Sequence, residues 1–197
     1  MKILFLSNPK AEYLDQIPNF IKFYGDDVEI FFERLDLKKI QKVEPDFIVS
    51  DRYPYIIKED ILNQFKNRAI NLHPSYLPWN KGYHPNFWSI YSESIKGVSI
   101  HEIDSGIDTG NILCQRQIKF TNEDTLKTSY YKARTALVNL FFENWLDIKN
   151  QKIIPVEQYK DNGSHYFKKQ YDELWKKFPK GWNTTINEVL RIKKILK

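Results

Sequence analysis

Short apolar runs recur along this chain about every 20–30 residues, with segments of helical spacing between them, and few folds accommodate that rhythm. Lys2–Ser7, Val28–Phe32, Asp46–Ser50, Ala69–Leu72, Gly97–Ile103 and Ile112–Phe120 read as strands. The first hardly alternates and is rich in Ile, Leu and Phe, as expected of a strand covered on both faces. Helices are expected over Tyr13–Phe23, limited by Pro18, at Leu37–Gln41, over Lys58–Phe65, and over Pro85–Tyr91 with proline in the first turn. Thr121–Asp124 caps a long helix from Thr125 to Ile148, whose Leu126, Tyr130, Ala133, Leu137, Leu140, Phe141 and Trp145 form one apolar stripe. The fold class is therefore α/β, a Rossmann-like, doubly wound, mostly parallel sheet with helices on both faces.

The expected domain spans 1–150, and 151–197 is a small C-terminal extension. The extension offers a strand-like Ile153–Tyr159, a turn over Asp161–Ser164 and two short helices, the last capped by Asn183 or Thr184. It also carries the basic excess, eleven Lys and Arg against five Asp and Glu, within a formal net charge of +5. Such a tail suits a phosphate-bearing ligand or a solvated face. The single Cys114 cannot close a disulfide within the chain, which fits a reducing cytoplasm. No apolar run approaches the roughly 20 residues that cross a bilayer, so no membrane partner is expected.

In sheets of this kind ligands bind beyond the carboxyl ends of the strands. The polar residues expected there are Asn8 and Lys10 after the first strand, and Asp51–Tyr55 after the third. Asn71 and His73 end the fourth, and Asp104 and Asp108 follow the fifth. Asn71 and His73, two apart, point to one side if the strand continues through them. An imidazole handles protons near neutral pH, a carboxamide donates to a developing oxyanion, and a carboxylate orients the imidazole or accepts a proton. His73, His84 and His101 are spaced 11 and 17 residues apart, which matches no compact ligand pattern, so no metal is expected. A G-x-G-x-x-G after the first strand, a P-loop and a G-x-S-x-G elbow are all absent.

Asn71-Leu72-His73-Pro74-Ser75-Tyr76-Leu77-Pro78, followed by Ile107-Asp108-Thr109-Gly110, resembles the folate-dependent formyltransferase family, over about Met1 to Phe120. More weakly, Pro85–Trp88 and the tail segments GSHYFKK and GWNT resemble the branch that formylates amino sugars on nucleotide carriers. The resemblance implies Asn71, His73 and Asp108 as catalytic triad and 10-formyltetrahydrofolate as co-substrate. The folate would be held by Tyr55, Ile56 and Ile57 and by the loop from Asp104 to Asp108. In the mechanism it implies, Asn71 and a protonated His73 donate to the tetrahedral oxygen.

The acceptor would enter near Asn8, Lys10 and Lys81. Its base would stack on an aromatic, with Trp88, Tyr166, Phe167, Trp175 and Trp182 as candidates. A nucleotide-linked amino sugar is the implied acceptor, with dTDP-4-amino-4,6-dideoxyglucose for surface polysaccharide as the first candidate and a tail-mediated homodimer as the assembly. Glycinamide ribonucleotide and methionyl-tRNA stay open as acceptors. Ser7–Lys10 replaces the glycine-rich phosphate loop of the enzymes for the first, and the tail is too small for the tRNA domain of those for the second. A non-catalytic nucleic-acid-binding domain finds no support in residues 1–120, and nucleic acid is not expected as a partner.

Overall fold

The structure, a computed structural model, describes residues 1–159 and 163–196. The amino-terminal half alternates as the sequence implies. It runs β1 (Lys2–Leu6), α1 (Gln16–Phe23), β2 (Asp27–Phe31), α2 (Leu37–Val43), β3 (Phe47–Asp51), α3 (Glu59–Leu62) and β4 (Ala69–His73). A two-residue strand, β5 (Lys81–Gly82), and α4 (Pro85–Tyr91) precede β6 (Gly97–Glu102), β7 (Ile112–Gln117) and the long α5 (Leu126–Lys149). The tail adds β8 (His165–Tyr166), α6 (Lys168–Trp175) and α7 (Ile186–Leu196). Among the described residues, no helix is long and apolar enough to cross a membrane.

The main sheet has the order β2-β1-β3-β4-β6-β7. Its first four strands are parallel, each joined to the next through a helical crossover. The fifth and sixth depart from the expected parallel run, since β6 is antiparallel to β4 and β7 to β6. Residues 103–111 join β6 to β7 without a helix, and a connection that short returns the chain antiparallel, because a parallel crossover needs a dozen or more residues. The carboxyl end of β6 therefore lies at the opposite end from that of β4, with Glu102 beside Ile70.

One face of the sheet packs on α1 and α5. Ile17 and Ile21 with Ala133, Leu137, Phe141 and Trp145 cover Phe5, Ile70, Leu72 and Ile100. Trp145 is fully buried, edge-on to Phe47 at 5.6 Å. The start of α5 is capped by Thr125, whose Oγ1 accepts from Thr128 N at 3.1 Å while Thr128 Oγ1 accepts from Thr125 N at 2.9 Å. The other face packs Ile40, Val43, Ile61 and Phe65 over Leu4, Leu6, Ile48 and Ala69. Its helices stop short of the outer part of β4 and of β6, which loops cover instead. That gap holds the site.

The segment after residue 150 shares a third cluster with α4 and the first turn of α5, in which Phe87, Trp88 and Leu126 meet Tyr171, Phe178, Ile186 and Val189. Residues 153–159 form no strand, only one bridge between Val156 and Ile112. Of the expected turn, Asp161 and Asn162 lie outside the described residues. The cap of α7 is Thr185 rather than Asn183 or Thr184. Thr185 Oγ1 accepts from Glu188 N at 3.2 Å, while the Thr184 hydroxyl donates to Gly181 O at 2.7 Å and closes the preceding turn.

Candidate active site

Parallel register sets Ser50 of β3 beside Asn71 of β4, and antiparallel register sets His101 of β6 on its other side. Alternation along β4 turns Asn71 and His73 to the side opposite α1 and α5, where the loops bearing Asn80 and Asp108 meet them. The Asn71 amide is held at both ends. Its Oδ1 accepts from Ser50 Oγ at 2.9 Å, and its Nδ2 donates to Asp108 Oδ1 at 3.3 Å and lies 3.2 Å from His101 Nε2. His101 Nδ1 faces the Glu102 carbonyl at 2.7 Å, which can only accept, so that nitrogen carries the proton and Nε2 accepts from Asn71.

The same reasoning applies to His73. Its Nε2 donates to the Asn80 carbonyl at 3.1 Å, which leaves Nδ1 facing Asp108 Oδ1 at 3.5 Å. Burial pushes the imidazole below its ordinary value of 6.5, against the pull of Asp108, so its resting form is neutral.

Asp104 and Asp108 do follow the carboxyl end of β6, as expected. Because β6 is antiparallel to β4, that end lies opposite the carboxyl end of β4, and Asp108 reaches the set from there. The loop 103–111 folds back across the open face, with Asp108 itself at φ 55°. Gln158 Nε2 pins the fold, donating to Asp108 O at 3.1 Å and Gly110 O at 2.6 Å. Asp108 Oδ2 accepts from Gly82 N at 2.8 Å. Burial alone would raise its carboxyl, but neighbouring His73 and His101 and the Gly82 N–H hold it well below the usual carboxylate range. Asp104 is exposed and serves its own loop, accepting from Gly106 N at 3.0 Å and Thr109 Oγ1 at 2.6 Å.

The structure thus brings Asn71, His73 and Asp108 together, with Lys81 beside them. Lys81 is 6% exposed, and burial lowers its ammonium pKa while Asp108 and Asp104 oppose the shift. His73, His101 and Asp108 also present three ligand-type atoms within 4.8 Å of one another. The inward face of that set is taken by the Asn71 amide, which donates to both His101 and Asp108.

The remaining candidates spread around this centre. Asn8 Oδ1 accepts from Lys10 N at 2.9 Å in a turn after β1, and Lys10 is exposed. Tyr55 and Ile56 are 38% and 68% exposed, whereas Ile57 is buried in the core under β1 and β3. Trp88 is corrected from a surface stacking platform to a core residue. It is 5% exposed and already stacked on Tyr166, with ring centroids 3.9 Å apart. A cavity of about 250 Å³ lies beside the carboxyl ends of β1 and β3, walled by Glu12, Tyr13, Arg52, Tyr130 and Arg134.

Ser50, Asn80, Gly82 and His101 escaped the sequence reading. Only strand register places Ser50 and His101 beside Asn71, and Asn80 and Gly82 act through backbone groups that no side-chain motif reveals.

The chain matches the model of the Formyl transferase family over residues 30–144, which contain the whole set. It is 33% identical over 199 residues to the bifunctional polymyxin resistance protein ArnA of Wigglesworthia glossinidia brevipalpis, covering 97% of this chain and 28% of that protein. It is 32% identical to the methionyl-tRNA formyltransferase of Finegoldia magna over 151 residues, 71% of this chain and 49% of that one. The chain therefore spans about half or less of the length of these curated relatives. A crystal structure of the formyltransferase PseJ from Anoxybacillus kamchatkensis superimposes with a TM-score of 0.88 at 41% identity, covering 96% of this chain and 97% of that one. That protein was crystallised with UDP-4,6-dideoxy-4-formamido-L-AltNAc and tetrahydrofolate. With its motif residues gathered at one point of the fold that PseJ shares, this chain belongs to the formyl transferase family.

Proposed function

We propose that the protein transfers the formyl group of 10-formyltetrahydrofolate to the primary amine of a nucleotide-linked 4-amino-4,6-dideoxy sugar. The convergence of Asn71, His73 and Asp108 on one patch of the sheet carries the chemistry. The 41% identity to the Anoxybacillus protein along nearly its whole length supports the acceptor class. It favours a UDP-linked N-acetylated sugar over dTDP-4-amino-4,6-dideoxyglucose as the first candidate.

In this reading the amine nitrogen attacks the formyl carbon, and negative charge builds on the formyl oxygen. That oxygen takes one Asn71 Nδ2–H, which in the resting site reaches Asp108 Oδ1 only at 3.3 Å. The amine proton passes to His73 Nδ1, the nitrogen left open by the Asn80 contact, and the Asp108 carboxylate stabilises the imidazolium. As the bond from carbon to folate N10 breaks, His73 returns that proton to N10, leaving a formamide and tetrahydrofolate. The folate lies against Tyr55–Ile57 and the loop from Asp104 to Asp108. The acceptor's phosphates lie toward Asn8, Lys10 and Lys81, and the cavity bearing Arg52 and Tyr130 offers its nucleoside a wall.

Incubation with 10-formyltetrahydrofolate and UDP-linked or dTDP-linked 4-amino sugars, glycinamide ribonucleotide and methionyl-tRNA, read by mass spectrometry, tests the proposal. A UDP-linked amino sugar gaining a formyl group is the expected result, and formylation of glycinamide ribonucleotide or methionyl-tRNA alone would overturn it. The reading includes a homodimer formed through the segment after residue 150. Ile154 and Val156, 87% and 63% exposed beside the edge strand β7, suit contact with a second copy. Light scattering at micromolar concentration should give twice the chain mass.

A further inference from the structure

The two backbone groups that touch the reaction centre, the Asn80 carbonyl and the Gly82 N–H, belong to one short loop between β4 and α4. The loop has braces of its own, Ser75 Oγ donating to Trp79 O at 2.7 Å and Leu77 N to Ser99 Oγ of β6 at 3.0 Å. The stretch that carries Asn80 and Gly82, however, is bonded densely to the tail. Ser164 Oγ accepts from Asn80 N at 2.8 Å, Ser164 O accepts from Lys81 N at 2.8 Å, and Ser164 N donates to Pro78 O at 3.3 Å. Two residues on, Tyr166 O accepts from Tyr83 N at 2.9 Å, completing the pairing of β5 with β8. Tyr166 is itself fixed by its stack on Trp88, so β8 is anchored in the third cluster.

The fit allows no side chain at two positions. Gly163, at φ 102°, would bring a Cβ within 2.0 Å of Pro78 O, and Gly82, at φ 90°, would bring one within 2.3 Å of Tyr166 O. Asn80 is fully buried in the left-handed region, φ 62°, its amide side chain tied to Ser94 and Ser92. A carbonyl on so constrained a residue points where its neighbours hold it, and the tail supplies the acceptor for its N–H.

We propose that residues 163–166 are a positioning strap for the reaction centre, with Ser164 as the positioning residue that fixes His73 through Asn80. The strap grips the loop whose Asn80 carbonyl sets the His73 tautomer and whose Gly82 N–H holds Asp108. In this view the tail completes the catalytic geometry, and its GSHY sequence is a structural requirement of the site. The inference rests on the formyl-transfer reading of Asn71, His73 and Asp108, but its effect on His73 is measurable without substrate.

Ser164→Ala removes the acceptor for a buried N–H while leaving the third cluster intact. In the full-length protein, ¹⁵N-edited spectra of the imidazoles should show His73 Nε2–H in the wild type. In Ser164→Ala that proton should exchange faster and the tautomer should become mixed, and Ser164→Thr, which keeps the hydroxyl, should restore both. With an accepted substrate, Ser164→Ala should lower kcat by up to about 100-fold, as misplacement by an ångström does, while both KM values change little. Gly163→Ala, which pushes the strap off Pro78, should reproduce the His73 spectral change. Unchanged His73 signals in a folded Ser164→Ala protein, or an unchanged kcat, would overturn the strap. A wild-type protein that formylates no amine would instead count against the proposed function, and the spectra would still decide the strap.

Discussion

Asn71 is the residue on which the site turns, because one amide side chain meets Ser50, His101 and Asp108 at once. Two acceptors lie on its nitrogen side and a hydroxyl on the other, which fixes the orientation of the amide. Replacing it with alanine removes the oxyanion donor, and kcat should fall by about 10²–10³-fold with folate binding retained. Steady-state kinetics and a folate titration on the same variant check this. His73 supplies the pH dependence. Its folded pKa lies below 6.5, and the neutral form that accepts the amine proton predominates above it. The kcat/KM profile should therefore lose activity only on an acid limb centred below 6.5 and stay level above it. Activity that instead falls as pH rises through this range would mean that the charged form does the work. Asn71, His73 and Asp108 were all legible as motif residues. Their partners Ser50 and His101 were not, because the bonds between them run across strands whose order the motif does not contain.

At the scale of elements, β3 and α5 are joined by a buried ion pair. Arg134 clasps Asp51 at 2.7 and 2.9 Å, and Arg52 Nη2 lies 3.3 Å from the same carboxylate. Asp51 is 1% exposed, so losing its main partner leaves a buried charge. Arg134→Met should destabilise the fold by about 3 kcal/mol, measured by urea unfolding, and a loss near zero would mean that Arg52 and solvent suffice. The helices of this layer were readable from periodicity, α5 above all. The direction of β6 was not. An apolar run of six residues looks the same whichever way it enters a sheet, and only the links on either side decide. The nature of 153–159 was hidden for a related reason: the edge of β7 does run alongside, but Pro155 has no N–H to extend a ladder, and a single bridge forms at Val156.

Across the whole molecule, the tail and the catalytic half are joined by aromatic packing around α4. His84 sits in that packing, stacked on Tyr171 with centroids 4.0 Å apart and pushed down to about 4 by burial. In the unfolded chain it titrates near 6.5, so between 6.5 and 4 the unfolded state binds more protons. Its contribution to stability is complete above 6.5 and is lost as pH falls through that window. His84→Asn tolerates the left-handed backbone at φ 53° and carries no such charge. Its unfolding free energy should therefore depend less steeply on pH between 6.5 and 4 than that of the wild type. Equal slopes in denaturant titrations at pH 4.5 and 7 would place the acid sensitivity elsewhere.

The chain's own pattern determined the alternation of strand and helix, the stripe that seats α5, and the side of β4 to which Asn71 and His73 turn, because these follow from residue spacing and backbone geometry. Tertiary structure alone decided that β6 and β7 run antiparallel, that Asp108 returns over the open face, that His73 rests neutral, and that Trp88 is buried. Each of these depends on what lies alongside in space: a neighbouring strand, a low-dielectric surrounding, or a carbonyl supplied by a distant loop.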